Sequence, residues 1–179
     1  MTSSTSDIKV LAFDVFGTVV DWHGSIAREI NAMGLGLDGN AFASAWRKGY
    51  IPAMDRVRKG ELGWTKIDDL HRMILDTVLA KFAVTGLSPD ALAHMNKVWH
   101  RLDPWPDTVA GLHRLKSKFT ICTLSNGNLS LLANMAKRAG LPWDLILSAE
   151  VFHHYKPDPQ AYQGVGQVFD LPPAQTMLV

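Results

Sequence analysis

Residues 8–21 read IKVLAFDVFGTVVD, and the prediction of the fold begins with this segment. The apolar run Ile8 to Phe13 contains β-branched residues and is typical of a buried strand. It ends on a single carboxylate, Asp14, and Gly17-Thr18 follow within a few residues. An aspartate in this place often only caps the next element. Because open α/β sheets bind ligands at the carboxyl ends of their strands, Asp14 is nevertheless a candidate site residue.

The composition indicates a globular protein and argues against a nucleic-acid or membrane partner. Hydrophobic residues make up 47% of the 179 residues, charged residues 20%, and the formal net charge is +1. Nucleic-acid-binding proteins usually carry a strong basic excess, which this balance does not indicate. No apolar run approaches membrane-spanning length, and residues 1–6 lack the basic and apolar segments of a signal peptide. The single cysteine, Cys122, allows no internal disulfide, so we expect a cytoplasmic protein.

Residues 22–102 predict four helices and no strand. The first covers Ser25 to Met33 and ends at the glycines that follow. The second begins at a cap on Asn40 and breaks near Ile51, because Pro52 has no backbone N–H to donate. The other two begin with a loose capping box and with a proline at the first helical position. Their starting sequences are Thr65-x-x-Asp68 and Ser88-Pro89-Asp90.

After the proline-rich segment 103–107 the chain alternates between helices and strands. Buried strands are predicted at Phe119 to Leu124 and at Leu145 to Ser148, and a fourth strand opens at Thr176 to Val179. One strand, a helical insert and then alternating helices and strands predict an α/β fold with a doubly wound parallel sheet. The helical cap is therefore inserted after the first strand of the core.

Polar side chains follow each of the first three predicted strands. Asp14 follows the first, Ser125 and Asn126 follow the second, and Lys156 lies in the loop after the third. Because the carboxyl ends of parallel strands share one edge, these groups should meet there. Together they describe a carboxylate nucleophile, which must be ionised and fixed in direction. The ammonium of Lys156 favours the ionised form, and donors from Thr18, Ser125 and Asn126 would orient the oxygens and hold the substrate. Lys156 could instead be a solvated surface lysine, although its Lys-Pro-Asp-Pro setting favours a positioned loop.

Three segments resemble the first three motifs of the haloacid dehalogenase superfamily. Each is weak alone, but all three occur in order and at predicted strand ends. The resemblance covers the whole chain and implies a Rossmann-like core, a cap after the first strand and Asp14 as the nucleophile. The segments are Phe13-Asp14-x-Phe16-Gly17-Thr18, Leu124-Ser125-Asn126-Gly127 and Tyr155-Lys156-Pro157-Asp158.

The residue two positions after Asp14 indicates a branch of this superfamily. Its phosphatases resemble a pattern with a second aspartate there, which protonates the leaving group and later activates water. This chain has Phe16, which cannot transfer a proton, whereas a halide leaves as a stable anion. The pattern is similar to the (S)-2-haloacid dehalogenase branch. That resemblance implies hydrolysis of short (S)-2-haloacids to 2-hydroxyacids with inversion, through an aspartyl ester and without a metal or other cofactor. A magnesium-dependent phosphatase and a catalytically impaired protein of the same fold are the alternatives.

The cap supplies a further candidate residue. In that branch an arginine of the cap holds the substrate carboxylate and the halide, and Trp46-Arg47 followed by Tyr50 looks like that segment. The alternative for Arg47 is an exposed helix arginine over apolar surface. Tyr162, six residues after Lys156, is similar to an active-site tyrosine of the branch or else faces the core. The resemblance implies Asp14, Lys156, Thr18 and Ser125 as catalytic residues, and Arg47, Asn126 (in the halide pocket), Phe16, Val15 and Tyr162 as substrate-binding residues.

The predicted domains are a core at residues 1–21 and 103–179 and a cap at residues 22–102. The superfamily's fourth motif supplies acidic groups after a further strand, whereas this sequence stops at Val179. We therefore expect a truncated or incompletely represented chain, in which the activator of the hydrolytic water is missing. The expected partner is a small 2-haloacid. Dimers are common in similar proteins, and apolar cap helices could form a homodimer interface, but neither the oligomeric state nor the preferred halogen follows from the sequence.

Overall fold

The computed structural model describes residues 7–179, and these divide into two compact units. The first unit comprises the described residues up to Val20 together with Pro104–Val179, and the second comprises Asp21–Asp103. Residues 1–6, whose composition argued against a signal peptide, lie outside the described residues. Among the helices of the described residues, none is both long enough and apolar enough to cross a membrane.

The first unit is built on a parallel sheet. In chain order the strands are β1 (Val10–Phe13), β2 (Val20–Asp21), β3 (Asp103–Pro104), β4 (Thr120–Ser125), β5 (Leu145–Ser148) and β6 (Thr176–Leu178). Four of them form the sheet in the order β5-β4-β1-β6, with every neighbour parallel, and β2 pairs with β3. The parallel sheet and the position of β6 beside β1 confirm the predicted fold class. The carboxyl ends of β1 and β4 lie side by side, because their register runs from Val10↔Thr120 to Phe13↔Thr123.

Helices surround the sheet in the first unit and make up most of the second. The helices of the second unit are α1 (Trp22–Ala32), α2 (Gly39–Lys48), α3 (Tyr50–Arg58), α4 (Ile67–Lys81) and α5 (Pro89–Asn96), followed by a 3-10 turn at Lys97–His100. Those of the first unit are α6 (Thr108–Lys116), α7 (Leu129–Ala139), α8 (Ala149–Phe152) and α9 (Pro159–Val168), followed by a 3-10 turn at Pro173–Gln175.

The core of the first unit explains why its strands are continuous apolar runs. All four residues of β1 are buried, as expected for a parallel strand that is covered on both faces. Val10 and Ala12 of β1 pack with Cys122 and Leu124 of β4 and with further apolar side chains of β5 and α9. This packing holds the carboxyl ends of β1 and β4 in fixed positions. The backbone of the polar residues that directly follow these strands is therefore also held in place.

Two predicted helix starts in the second unit are wrong. The cap of α2 is Asp38, whose Oδ1 accepts from the backbone N–H groups of Asn40 and Ala41 at 2.9 and 3.2 Å. The cap of α4 is Lys66 and not Thr65, and it makes no capping bond through its side chain; the Thr65 hydroxyl donates to the Gly63 carbonyl at 2.9 Å. The start at Ser88 is confirmed, since its hydroxyl accepts from the N–H of Ala91, three residues into the helix.

The predicted break near Ile51 lies at Gly49 instead. Gly49 separates α2 from α3 and packs so closely on Ile74 of α4 that an added Cβ would collide with that side chain. Pro52 lies in the first turn of α3, where a helix has no internal partner for a backbone N–H. The second unit therefore has five α-helices among the described residues, one more than the sequence predicts.

The second unit buries a histidine that makes no hydrogen bond through its ring. His71 of α4 is 1% exposed, and neither ring nitrogen has a hydrogen-bond partner among residues 7–179. Its imidazole stacks on Trp99 with ring centroids 4.0 Å apart. Burial lowers the pKa of His71 to about 3, so the ring is neutral at physiological pH.

This histidine should make the fold less stable in mild acid. The unfolded chain protonates His71 near pH 6.5, whereas the folded protein resists protonation until about pH 3, so stability is lost as the pH falls between these values. At pH 5 the loss is about 2 kcal/mol. Urea unfolding at pH 7.5 and 5.0 should show that His71→Phe reduces the pH-dependent loss by this amount. His113→Gln, on an exposed residue of α6, should leave it unchanged. An equal loss in His71→Phe and the unaltered protein would contradict the prediction.

Candidate active site

The carboxylate of Asp14 is held at both oxygens. Lys156 Nζ donates to Oδ1 at 2.6 Å, and the Thr18 hydroxyl donates to Oδ2 at 3.0 Å. The Asp14 backbone N–H donates to the Val179 carbonyl at 2.9 Å, which ties the residue to the end of β6. The Asp14 side chain is 38% exposed and that of Lys156 only 14%. The carboxylate is thus fixed in direction but still accessible, as attack on a small molecule requires.

A tight turn after Asp14 places Thr18. Gly17 adopts φ of 99°, in the left-handed region that favours glycine, and its N–H donates to the Val20 carbonyl at 3.0 Å. Val19 donates to the Val15 carbonyl at 2.9 Å, which closes the same turn. The turn returns the Thr18 hydroxyl to the carboxylate four residues earlier. The turn conformation therefore explains why glycine and threonine follow Asp14 at these positions.

Asn126 positions the backbone of Lys156. Its side-chain Nδ2 donates to the Lys156 carbonyl at 3.2 Å, and its Oδ1 accepts from the Lys156 N–H at 2.7 Å. Asn126 directly follows β4, so the two bonds attach the lysine's loop to the end of a central strand. A place for Asn126 in a halide pocket stays a prediction, but its amide already holds the residue that contacts Asp14.

Ser125 and Ser148 hold the turn that carries Asn126. The buried Ser125 hydroxyl accepts from the Gly127 N–H at 3.1 Å, so it serves the turn, whereas the sequence suggested that it orients Asp14. Ser148, at the end of β5 and fully buried, donates to the Gly127 carbonyl at 2.6 Å and accepts from the Glu150 N–H at 3.0 Å. Sequence reasoning missed Ser148. The sequence feature that could have indicated Ser148 is its position as a hydroxyl residue at the end of the third strand of the parallel sheet.

Val15 and Phe16 follow Asp14 in the chain and have different surroundings. The Phe16 ring lies against Gly127, where an added Cβ would approach Phe16 Cε2 to 3.0 Å, so a larger residue would displace the ring. Val15 is 1% exposed, and its carbonyl accepts the turn's N–H groups. The predicted substrate contact of Val15 therefore has no support from its side chain, which is buried.

Tyr162 lies on the face of the sheet, in the place of a core-facing aromatic. It packs against the apolar cluster of β1, β4, β5 and α9, and it lines a cavity of about 230 Å³ with Ala12, Leu124 and Leu178. This packing favours the alternative that the sequence left open for Tyr162.

Within the second unit, Arg47 is covered by aromatic rings. Its guanidinium carbon lies 4.1 Å from the centre of the Tyr50 ring and 5.5 Å from that of Trp22. Its Nη1 is buried and has no hydrogen-bond partner among the described residues. Arg47 is half-buried, and its role in binding the substrate stays a prediction.

The two side chains that contact the Asp14 carboxylate, Lys156 and Thr18, are not acidic metal ligands. One carboxylate oxygen already accepts from an ammonium, which would repel a metal ion. Among residues 7–179, no group of three histidine, cysteine, aspartate or glutamate side chains could hold a metal. The arrangement can instead deliver an oriented carboxylate oxygen to an electrophilic carbon.

The chain matches known proteins over nearly its whole length. Residues 8–179 match the family model described as haloacid dehalogenase-like hydrolase. The (S)-2-haloacid dehalogenase of Xanthobacter autotrophicus is 28% identical, over 96% of this chain and 67% of that protein. The (S)-2-haloacid dehalogenase 1 of Pseudomonas sp. (strain CBS-3) is 27% identical, over 96% of this chain and 75% of the relative.

Two solved structures are more similar in sequence. The L-2-haloacid dehalogenase PA0810 is 45% identical with a TM-score of 0.91, over 96% of this chain and 75% of that one. The defluorinating L-2-haloacid dehalogenase Rha0230 is 43% identical with a TM-score of 0.92, over 96% of this chain and 72% of the other.

Proposed function

The chain belongs to the haloacid dehalogenase-like hydrolases, and from that premise we propose that it hydrolyses short (S)-2-haloacids to 2-hydroxyacids with inversion at C2. One observation carries the proposal: Asp14 is oriented at both oxygens by Lys156 and Thr18, while Phe16 occupies the position of a phosphatase's proton donor. Relatives named L-2-haloacid dehalogenase, 45% and 43% identical, support the same reaction.

The first half-reaction is a displacement by Asp14. A carboxylate oxygen forms a bond to C2 from the face opposite the halogen, and the halide leaves with the electrons of the carbon–halogen bond. The configuration at C2 inverts in this step. Thr18 and Lys156 fix the direction of the carboxylate, so attack needs little reorganisation. Because halide leaves as a stable anion, Phe16 need not supply a proton.

The second half-reaction is hydrolysis of the aspartyl ester. Water adds to the side-chain carbonyl carbon of Asp14, and the bond from that carbon to the product oxygen then breaks. The product leaves as a 2-hydroxyacid after taking up a proton, one proton is released overall, and Asp14 is again a carboxylate. The ammonium of Lys156 stabilises the negative charge that develops on the carbonyl oxygen.

The substrate's own carboxylate requires a cationic partner, and we assign it to Arg47. A guanidinium can donate two parallel hydrogen bonds to a carboxylate, which an ammonium cannot do. Halide contacts fall to Asn126 and Phe16. We also propose a cytoplasmic location, because the single cysteine, Cys122, allows no internal disulfide. A homodimer and the absence of a nucleic-acid partner stay predictions.

A direct comparison of two released anions tests the proposal. The purified protein should release chloride from (S)-2-chloropropionate, form (R)-lactate and leave the (R)-substrate untouched. It should release no phosphate from an aryl phosphate with magnesium. Phosphate release without chloride release would favour the phosphatase alternative. Fluoride release from fluoroacetate should be measured in the same assay, because one of the similar solved structures, 43% identical, is that of a defluorinating enzyme.

We expect Asn126 to affect catalysis because its side chain positions the backbone of Lys156. Asn126→Ala removes the bonds of 3.2 and 2.7 Å to the Lys156 backbone, so the ammonium loses its fixed position. We expect kcat for chloride release to fall roughly 10- to 100-fold, the effect of misplacing a catalytic group by about 1 Å. Asn40→Ala, on an exposed residue, is the control and should keep full activity. A kcat within twofold of the unaltered protein would refute this role.

A further inference from the structure

Arg47 lies among aromatic side chains from several helices of the second unit. Its guanidinium lies over Tyr50, the first residue of α3, and near Trp22, the first residue of α1. Rings at these distances attract a cation through their π faces. Both contacts are with neutral groups, so neither cancels the positive charge.

The contacts continue from ring to ring and return to Arg47. Tyr50 meets His71 with ring centroids 5.8 Å apart, and His71 stacks on Trp99 at 4.0 Å. Trp99 in turn stacks on Trp22 at 6.3 Å, with their planes 16° apart. We call these four side chains, Trp22, Tyr50, His71 and Trp99, the aromatic collar. Its members come from α1, α3, α4 and the 3-10 turn that follows α5, so the fold of the second unit as a whole defines it.

The collar is anchored to the helix that carries Arg47. The indole N–H of Trp46, the residue before Arg47, donates to the backbone carbonyl of His71 at 2.9 Å. Tyr50 is 6% exposed, and His71 and Trp99 are each 1% exposed. Because buried, interlocked rings cannot rotate freely, the surface that they present to the guanidinium is fixed before any ligand arrives.

The electrostatics around Arg47 leave its charge available to a ligand. Among residues 7–179 no acidic side chain forms an ion pair with Arg47, whereas Arg28 pairs with Asp103 at 2.8 Å. Arg47 Nη1 is also buried without a hydrogen-bond partner in that range. The neighbouring His71 is neutral, so it adds no second positive charge. A buried donor without a partner, on an uncompensated cation, is a site for an anion.

We propose that the aromatic collar fixes the plane of the Arg47 guanidinium, and that Tyr50 and Trp22 are positioning residues for binding the carboxylate of the 2-haloacid. The Trp22 and Tyr50 rings lie 5.5 and 4.1 Å from the guanidinium carbon, and Nη1, which has no hydrogen-bond partner among residues 7–179, is left to donate to a carboxylate. The identity of the bound anion rests on the proposed function. The collar itself does not, because its geometry lies entirely within the second unit.

The first test separates binding from chemistry. Tyr50→Leu removes the ring face at 4.1 Å, so KM for (S)-2-chloropropionate should rise at least about tenfold while kcat changes less than threefold. Tyr50→Phe keeps the face and should bring KM back to within about threefold. Trp22 is only partly buried, so Trp22→Leu and Trp22→Phe form a second pair in which folding is not at risk. Equal KM values for the leucine and phenylalanine variants at both positions would overturn the proposal.

The second test needs no turnover. The Nε–H resonance of Arg47 in a ¹⁵N spectrum should be shifted by ring currents, and the shift should disappear in Tyr50→Leu but persist in Tyr50→Phe. Propionate, which carries no halogen and cannot react, should perturb this resonance on titration and bind at least about tenfold more weakly to Tyr50→Leu. If no haloacid reacts but the Arg47 resonance and the binding of propionate behave as expected, the proposed function is refuted and the collar proposal is supported. If the resonance is unshifted or propionate leaves it unchanged, the collar proposal fails whatever the activity.

Discussion

Replacing Asp14 by asparagine is expected to lower kcat for chloride release from (S)-2-chloropropionate at least about 10⁴-fold. An amide oxygen is a far weaker nucleophile than a carboxylate, and the Asn side chain cannot replace both acceptors that Lys156 and Thr18 now bind. Chloride release measured against a fold check by circular dichroism tests this. Asp170→Asn is a matched control, because Asp170 is exposed and its positive φ is one that asparagine tolerates. Turnover by Asp14→Asn within a hundredfold of the unaltered protein would reject Asp14 as nucleophile.

Turnover in ¹⁸O-enriched water tests whether Asp14 acts as a nucleophile or as a general base. In a single turnover in ¹⁸O-enriched water, the label should enter the Asp14 side chain, because water attacks the ester carbonyl carbon. The first lactate molecule should then carry the unlabelled oxygen of Asp14. Label found only in the lactate would show that water attacked C2 directly, with Asp14 acting as a base.

Replacing Lys156 by methionine should lower kcat roughly 10²- to 10³-fold, the second-largest effect that we expect. The change removes the 2.6 Å contact to Asp14 Oδ1, and with it both the fixed direction of the nucleophile and the positive charge that stabilises ester hydrolysis. Methionine has a similar length and suits a side chain that is only 14% exposed, so folding should persist. Steady-state kcat and thermal unfolding measure the two effects separately.

The control for Lys156 is Lys118→Met, on an exposed residue of the same unit. It should keep the activity of the unaltered protein. A Lys156→Met variant that folds and retains kcat within tenfold would contradict the assigned role. Among residues 7–179, the Thr18 hydroxyl would then be the remaining side-chain donor to the Asp14 carboxylate.

The meeting of Asp14 and Lys156 could be anticipated because it follows from topology. Parallel strands end at a common edge, so polar residues after successive strands lie together even when 142 positions separate them in the chain. The family and its fold were also predictable, since the motifs are short and ordered. Strand ends shifted by only a residue or two, as with β1, which begins at Val10.

Features that depend on tertiary partners could not be anticipated. Nothing in the local sequence says that Asn126 binds the Lys156 backbone, or that Ser148 closes the turn beside it. The aromatic collar could not be predicted for the same reason. Helical periodicity indicates which aromatic side chains are buried, but not which other side chains they contact. The misplaced cap of α2 has a local cause. Asp38 and Asn40 are both good cap residues, and sequence alone does not decide between them.

The backbone bond from Asp14 to the Val179 carbonyl joins Asp14 to the residue that directly follows β6. The Asp14 amide is protected by this bond, although the residue itself follows the central β1. A backbone amide exchanges with solvent when its hydrogen bond opens in a local fluctuation. The exchange rate of the Asp14 amide therefore reports how often its bond to Val179 opens, and each opening briefly frees the backbone beside the carboxylate that Lys156 and Thr18 hold.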